Sequence, residues 1–247
     1  MPNLPTPKSA VVTGSSRGIG AAIAERLASD GFGVVINYAG RADAANEVAE
    51  RISSDGGKAK VVQADVSKRA DVVRMFDEAT EAFGGVDVLV NNAGVLSLAP
   101  IAETDDEAFD RIMAVNVKGA FNGMREAAKR LRDGGRIINL STSVVGSRLP
   151  TYGAYAASKG AVETMTHILS KELGSRRITV NAVAPGPVAT ELFFDGKSDE
   201  LVARIKSQIP LGRLGEVGDI APTVAFLASE EGQWVNGQVL RVNGGMV

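Results

Sequence analysis

The 247-residue chain carries 27 Lys and Arg against 29 Asp and Glu, a formal net charge of −2, so it offers no basic field for nucleic acid. It has no cysteine and a single histidine, His167. That rules out disulfides, thiol nucleophiles and zinc–cysteine sites, and it removes Ser–His–Asp chemistry and histidine-rich metal sites as natural readings. Metal-free chemistry is left, with His167 read as a surface or packing residue. A hydrophobic fraction of 45% and 28 glycines fit a globular chain rich in tight turns. No apolar run is long enough to span a bilayer, and the opening stretch MPNLPTPKSA lacks the apolar core of a signal peptide. The expectation is a soluble cytoplasmic protein with no membrane or nucleic-acid partner.

In chain order, Ser9 to Thr13 is a short β-prone run that ends at Gly14-Ser15-Ser16-Arg17-Gly18-Ile19-Gly20, and a helical pattern follows through Ala21 to Ser29. A strand, a glycine-rich turn and a helix N-terminus are the parts of a phosphate site, where backbone N–H groups and the helix dipole face the anion. The spacing GxxxGxG is neither the usual GxGxxG fingerprint nor a Walker loop. Gly33 to Tyr38 reads as a second buried strand, ending in Asn37, Tyr38, Ala39, Gly40 and Arg41. A carboxylate at this point would bind a ribose 2′-hydroxyl, and none follows the strand. Arg17 and Arg41 can instead hold a 2′-phosphate, which favours NADP over NAD.

Helix is expected over 42–54, strand over 58–63, helix over 70–83 and strand over 86–90. Asp65 and Val66 follow the third strand, where they would meet the adenine side of a dinucleotide. Asn91, Asn92, Ala93 and Gly94 follow the fourth, small and polar enough for a cofactor to lie against the backbone. Thr104-Asp105-Asp106-Glu107 has the form of a capping box opening a long helix. That helix carries Asn116, a poor helix former in a partly apolar setting.

The apolar run Arg136 to Leu140 leads into Ser141, Thr142 and Ser143, and helix is expected from Ala154 through Leu169. Residues four apart on a helix share a face, so Tyr155 and Lys159 project side by side. A lysine cation roughly 4 Å away, at an effective dielectric near 20, favours a phenolate by about 4 kcal/mol. On that pairwise reasoning the tyrosine moves from its ordinary pKa of about 10 towards neutrality, fit for acid–base work. Beyond lie a strand over 178–184, the turn Pro185-Gly186-Pro187-Val188-Ala189-Thr190, and an inserted flap over 191–210 with a short helix over 198–207. Phe193 and Phe194 in the flap are candidate substrate contacts or lid anchors. A last helix over 217–229 and a last strand over 237–242 complete an alternating pattern, which argues for one doubly wound parallel sheet with helices on both faces.

Taken together, Thr13 to Gly20, Asn91 to Gly94, Asn116, Ser143, Tyr155-x-x-x-Lys159 and Pro185-Gly186 resemble the short-chain dehydrogenase/reductase family in its compact single-domain branch. The resemblance runs from Ser9 to Val247 and implies a Rossmann-type sheet of about seven strands. It also implies roles. Tyr155 would be the general acid in reduction and the base in oxidation. Lys159 would lower the tyrosine's pKa and bond the nicotinamide ribose, and Asn116 would hold a water that relays protons to Lys159. Ser143, chosen over Ser141 because Val144-Val145-Gly146 follows it, would polarise the carbonyl, at a spacing to Tyr155 one residue shorter than the family's commonest form. The cofactor would touch the glycine loop at Gly14, Ser16, Arg17, Gly18, Ile19 and Gly20, and the second strand's end at Asn37, Tyr38 and Arg41. It would also touch Asp65, Val66, Asn91, Ala93 and Gly94, the pair Tyr155 and Lys159, and Pro185, Gly186, Val188 and Thr190.

The segment is similar to acyl-carrier-protein ketoreductases and NADPH-dependent aldehyde or ketone reductases, which are usually homotetramers. The expected activity is NADPH-dependent reduction of a small carbonyl substrate to an alcohol. The alternatives are an NAD(P)-dependent sugar or polyol dehydrogenase, and a catalytically silent dinucleotide-binding sensor or scaffold.

Overall fold

A computed structural model describes residues 8–247; the segment 1–7, part of the stretch read for a signal peptide, lies outside them. In chain order the elements are β1 (Ser9–Val12), α1 (Gly18–Ser29), β2 (Gly33–Tyr38), α2 (Ala42–Ser54), β3 (Lys58–Gln63), α3 (Arg69–Phe83) and β4 (Val86–Asn91). The second half holds α4 (Asp106–Ile112), α5 (Ala120–Arg130), β5 (Leu131–Leu140), α6 (Val144–Ser147), α7 (Gly153–Glu172) and β6 (Thr179–Pro185). It closes with α8 (Glu191–Phe194), α9 (Asp199–Ser207), α10 (Val217–Ala228) and β7 (Val239–Val242).

The seven strands form one sheet in the order β3-β2-β1-β4-β5-β6-β7, parallel throughout. β1 and β2 are apolar almost without interruption because helices cover both faces of the sheet. Side chains alternate across that sheet. Val34 and Ile36 join Ile23 and Leu27 of α1 and Val224 and Leu227 of α10 on one face. Val35 points the other way, into a layer with Met75 and Phe76 of α3, Leu89 of β4 and Ile137 of β5. From β1 the chain winds outward to β2 and β3, then returns to lay β4 on β1's other side. At this switch point the connections diverge and leave a crevice at the carboxyl ends of the strands.

Several local features differ from the sequence expectation. Helix α1 starts at Gly18 rather than after the glycine loop, so the loop's last residues are themselves the first helical turn. The N-cap of α4 is Asp105, which accepts from the Ala108 N–H at 2.7 Å; Thr104 instead donates to the Pro100 carbonyl, closing the turn at Ile101–Glu103. Asn116 sits in a seven-residue π-helical stretch, Met113–Gly119, between α4 and α5. The flap contains a second helix, α8, capped by Thr190, whose hydroxyl accepts from the Phe193 N–H. His167 is exposed on α7, with its ring against the Gly237 carbonyl at 3.2 Å. Among the described residues no helix is long and apolar enough to cross a membrane. Nor does any group of three or more His, Cys, Asp or Glu assemble there as a metal site.

Candidate active site

The crevice is a cleft of about 770 Å³, within the range that takes a cofactor and a small substrate. One end of it is built by the glycine loop. Gly14 has φ +61°, and a Cβ there would lie 2.9 Å from Ala93 Cα, so only glycine lets β1's exit pass this close to β4's. Asn92 Nδ2 donates to the carbonyls of Thr13 and Gly14 at 2.9 Å each, and the Thr13 hydroxyl accepts from the N–H groups of Asn92 and Ala93. Asn37 fixes the loop from the other side, accepting from the Gly14 N–H at 3.0 Å. Arg17, at the N-cap of α1, provides no capping side chain, which leaves the first N–H groups of the helix open to the cleft. An unblocked helix start beside Gly18, Ile19 and Gly20 fits the diphosphate of a dinucleotide.

Apart from Asn91, the sequence-expected cofactor positions all line this cleft. Asn91's side chain donates instead to Asn139 at 2.8 Å and to the Ala120 carbonyl, tying β4 to β5 and α5. Its neighbour Asn92 is the one that faces the cleft. Asp65 lines it too, with its carboxylate accepting from the Ser67 N–H and hydroxyl. Of the two flap phenylalanines, Phe193 lines the cleft, while Phe194 packs edge-on against it and is 46% exposed.

At the other end, α7 presents Tyr155 and Lys159. The Lys159 ammonium is buried and donates to the Leu140 carbonyl at 2.7 Å, where β5 ends. It lies 6.0 Å from the centre of the Tyr155 ring. Burial lowers its pKa from the ordinary 10.5 to about 8. The Tyr155 phenol moves opposite to the sequence expectation. Burial pushes it up to about 12, a hydrogen bond from Thr142 pulls the other way, and the neighbouring Tyr152 phenol adds a small push up. Desolvation of the buried phenolate is the largest effect on this phenol, and Lys159 is not among the groups that shift it.

The three hydroxyls after β5 separate cleanly. Ser141 donates to Glu163 at 2.6 Å. Ser143 donates to the Ala184 carbonyl at 3.1 Å and accepts from Asn243 Nδ2 at 3.0 Å. Of the three, only Thr142 acts on the Tyr155 phenol, lowering its pKa, whereas the hydroxyl of Ser143, the residue expected from the sequence, is bonded to Ala184 and Asn243. Asn116 is buried beneath the cleft, accepting from the Val95 N–H at 2.8 Å and donating to the Val95 carbonyl and to Ser158. Its Oδ1 and the Lys159 ammonium flank Gly94, lying 3.3 and 3.4 Å from where a Cβ on that residue would sit. The residue that sequence reasoning missed is Glu191. It bonds both Arg17 and, at 3.1 Å, Arg41, although no carboxylate was expected beside them. It comes from 174 and 150 residues away in the chain, beyond the reach of any local pattern.

The arrangement is similar to known proteins over its whole extent. The enoyl-(acyl carrier protein) reductase family model matches residues 14–247. A short-chain type dehydrogenase/reductase of Picea abies is 55% identical over 96% of this chain and 92% of its own length. An NADPH-dependent aldehyde reductase-like protein, chloroplastic, of Arabidopsis thaliana is 53% identical over 96% of this chain and 93% of its own. Among solved structures, the angucycline C-6 ketoreductase LanV with bound NADP superposes with a TM-score of 0.91 at 43% identity, covering 97% of this chain and 95% of that one. The chain belongs to the short-chain dehydrogenase/reductase family of oxidoreductases.

Proposed function

We propose that this protein is an NADPH-dependent reductase of small, largely apolar carbonyl compounds: aldehydes, ketones or 3-oxoacyl groups. The observation that carries this reading is one cleft lined by the neutral Tyr155 phenol and Thr142 at one end and the guanidinium pair Arg17 and Arg41 at the other. NADPH held along the glycine loop would supply a hydride to the carbonyl carbon. Tyr155, protonated at neutral pH because burial holds its pKa near 12, gives its proton to the carbonyl oxygen as charge develops there. Thr142, whose single O–H serves the phenol while no substrate is bound, turns it to the carbonyl oxygen when substrate occupies the cleft. Lys159, fixed by the Leu140 carbonyl, stabilises the phenolate left behind and offers its ammonium to the ribose. Asn116 holds Val95 and Ser158 in register around that pair. Arg17 and Arg41 recognise the 2′-phosphate.

Leu149, Leu192, Phe193 and Met246 line the cleft, which favours an apolar substrate over a sugar or polyol. The reading extends to a homotetramer, supported by apolar side chains on the surface such as Phe109, Phe121, Ile168 and Trp234, the last 95% exposed. Light scattering tests the assembly. For the activity, NADPH consumption is followed against aldehydes, ketones, 3-oxoacyl thioesters and sugars. Turnover confined to sugars overturns the carbonyl-reductase reading, and cofactor binding without any turnover favours a silent scaffold.

A further inference from the structure

Arg17 and Arg41 reach the cleft from different elements, the N-caps of α1 and α2, and both donate through Nη1 to one atom, Glu191 Oε2. Glu191 is the first residue of α8, at the root of the flap, and it lines the same cleft. A carboxylate oxygen shared by two guanidinium groups offers the same charge sign and acceptor chemistry as a phosphate oxygen. Resting on the NADPH reading above, we propose that Glu191 is the specificity-determining acid of this chain, an internal anion that a 2′-phosphate displaces from Arg17 and Arg41. An adenosine without that phosphate leaves Glu191 in place and gains nothing from the pair. Selectivity is then set by the competition between two anions for two arginines, and not by the arginines alone. The flap is held to the glycine loop by the same contact, so the group that selects the cofactor also anchors the segment carrying Phe193.

The test uses the full-length protein and two probes that differ only in the 2′-phosphate, 2′,5′-ADP and 5′-AMP, titrated calorimetrically. The wild type is compared with Glu191→Gln, Arg41→Ala and the double variant. The contacts are solvent-exposed, so Glu191→Gln is expected to tighten 2′,5′-ADP by about threefold to tenfold and to leave 5′-AMP unchanged. In the double variant that gain should shrink, because half of the contested pair is gone. Equal changes for both probes, no change, or weaker 2′,5′-ADP binding in Glu191→Gln overturns the proposal. If Arg41→Ala lowers the preference while Glu191→Gln leaves it untouched, the NADPH reading stands and the role of Glu191 falls. If the wild type shows no preference and Glu191→Gln creates one, the role of Glu191 stands and the NADPH preference falls.

Discussion

Thr142 is the hydroxyl that pulls the Tyr155 phenol's pKa down, while Ser143, one residue on, turns its own to the Ala184 carbonyl and to Asn243. The division follows from how β5 ends. Backbone hydrogen bonds from Ser141 to the Val183 carbonyl and from Ser143 to the Pro185 carbonyl keep both odd-numbered residues laced to β6. The Ser141 hydroxyl is taken by Glu163 of α7 and that of Ser143 by the Ala184 carbonyl, which leaves Thr142, between them, for the phenol. Thr142→Ala should therefore lower kcat by about a hundredfold, as the loss of a donor to a developing oxyanion does. Thr142→Ser should restore most of it. Ser143→Ala should cost less than about tenfold, since it removes a packing bond at some distance from the proton. Steady-state kinetics on the three variants decide; a larger loss for Ser143→Ala returns the role to Ser143.

Tyr155 and Tyr152 stand with ring centres 6.4 Å apart, and both line the cleft, so they form an internal comparison. Tyr155→Phe removes the proton donor but keeps the ring. Turnover should fall by on the order of a thousandfold, with NADPH affinity changed by no more than about twofold. Tyr152→Phe should cost less than about tenfold, since no lysine follows it on the next turn. Retention of most activity in Tyr155→Phe would place the proton donor elsewhere.

The sequence announced whatever depends on local pattern. Alternating apolar runs and glycine turns marked the strands and helices of the sheet to within a few residues, and Tyr155 with Lys159 could be paired because a helix brings i and i+4 together. β5 extends beyond its apolar run, because Leu131 already pairs with Val86 on the far side of Gly134 and Gly135. The rest depended on contacts between distant segments. Nothing near Asn116 signals the extra residue per turn that makes its stretch π-helical. No spacing rule brings Glu191 to Arg41, and the sign of the Tyr155 shift could not be reached by pairing charges, because burial was the larger effect. Choosing among Ser141, Thr142 and Ser143 required knowing which of them β6 engages.

Gly94 separates Asn116 Oδ1 from the Lys159 ammonium, and a methyl group there would lie 3.3 and 3.4 Å from them. Contacts of that length are tight, so Gly94→Ala should press on both groups without clashing with backbone. If the space between Asn116 and Lys159 carries protons, kcat should fall by about tenfold or more, matching an overpacking cost of about 1–3 kcal/mol felt at the site. Thermal unfolding should show the fold intact. An unchanged kcat and an unchanged pH profile would show that the two groups do not cooperate.

Lys159 makes an opposite demand on stability. Its charge is buried at 5% exposure, and its pKa falls from 10.5 to about 8 through loss of hydration. Below pH 8 the lysine is charged in both the folded and unfolded chain, and the full cost of burying that charge is present. Between pH 8 and 10.5 the folded chain releases the proton while the unfolded chain keeps it, so stability rises with pH; above 10.5 both are neutral and the cost is gone. The shift corresponds to about 3 kcal/mol. Lys159→Met has no charge to bury but leaves the Leu140 carbonyl without its donor, which gives back roughly 1–2 kcal/mol. The variant should be inactive and, at pH 7, more stable than the wild type by about 1–2 kcal/mol. Its advantage should fade as pH rises through the window from 8 to 10.5. Denaturant unfolding of both proteins across that range measures the difference directly. A gap that stays constant with pH would mean that Lys159 is not desolvated, and that Leu140 alone accounts for its position.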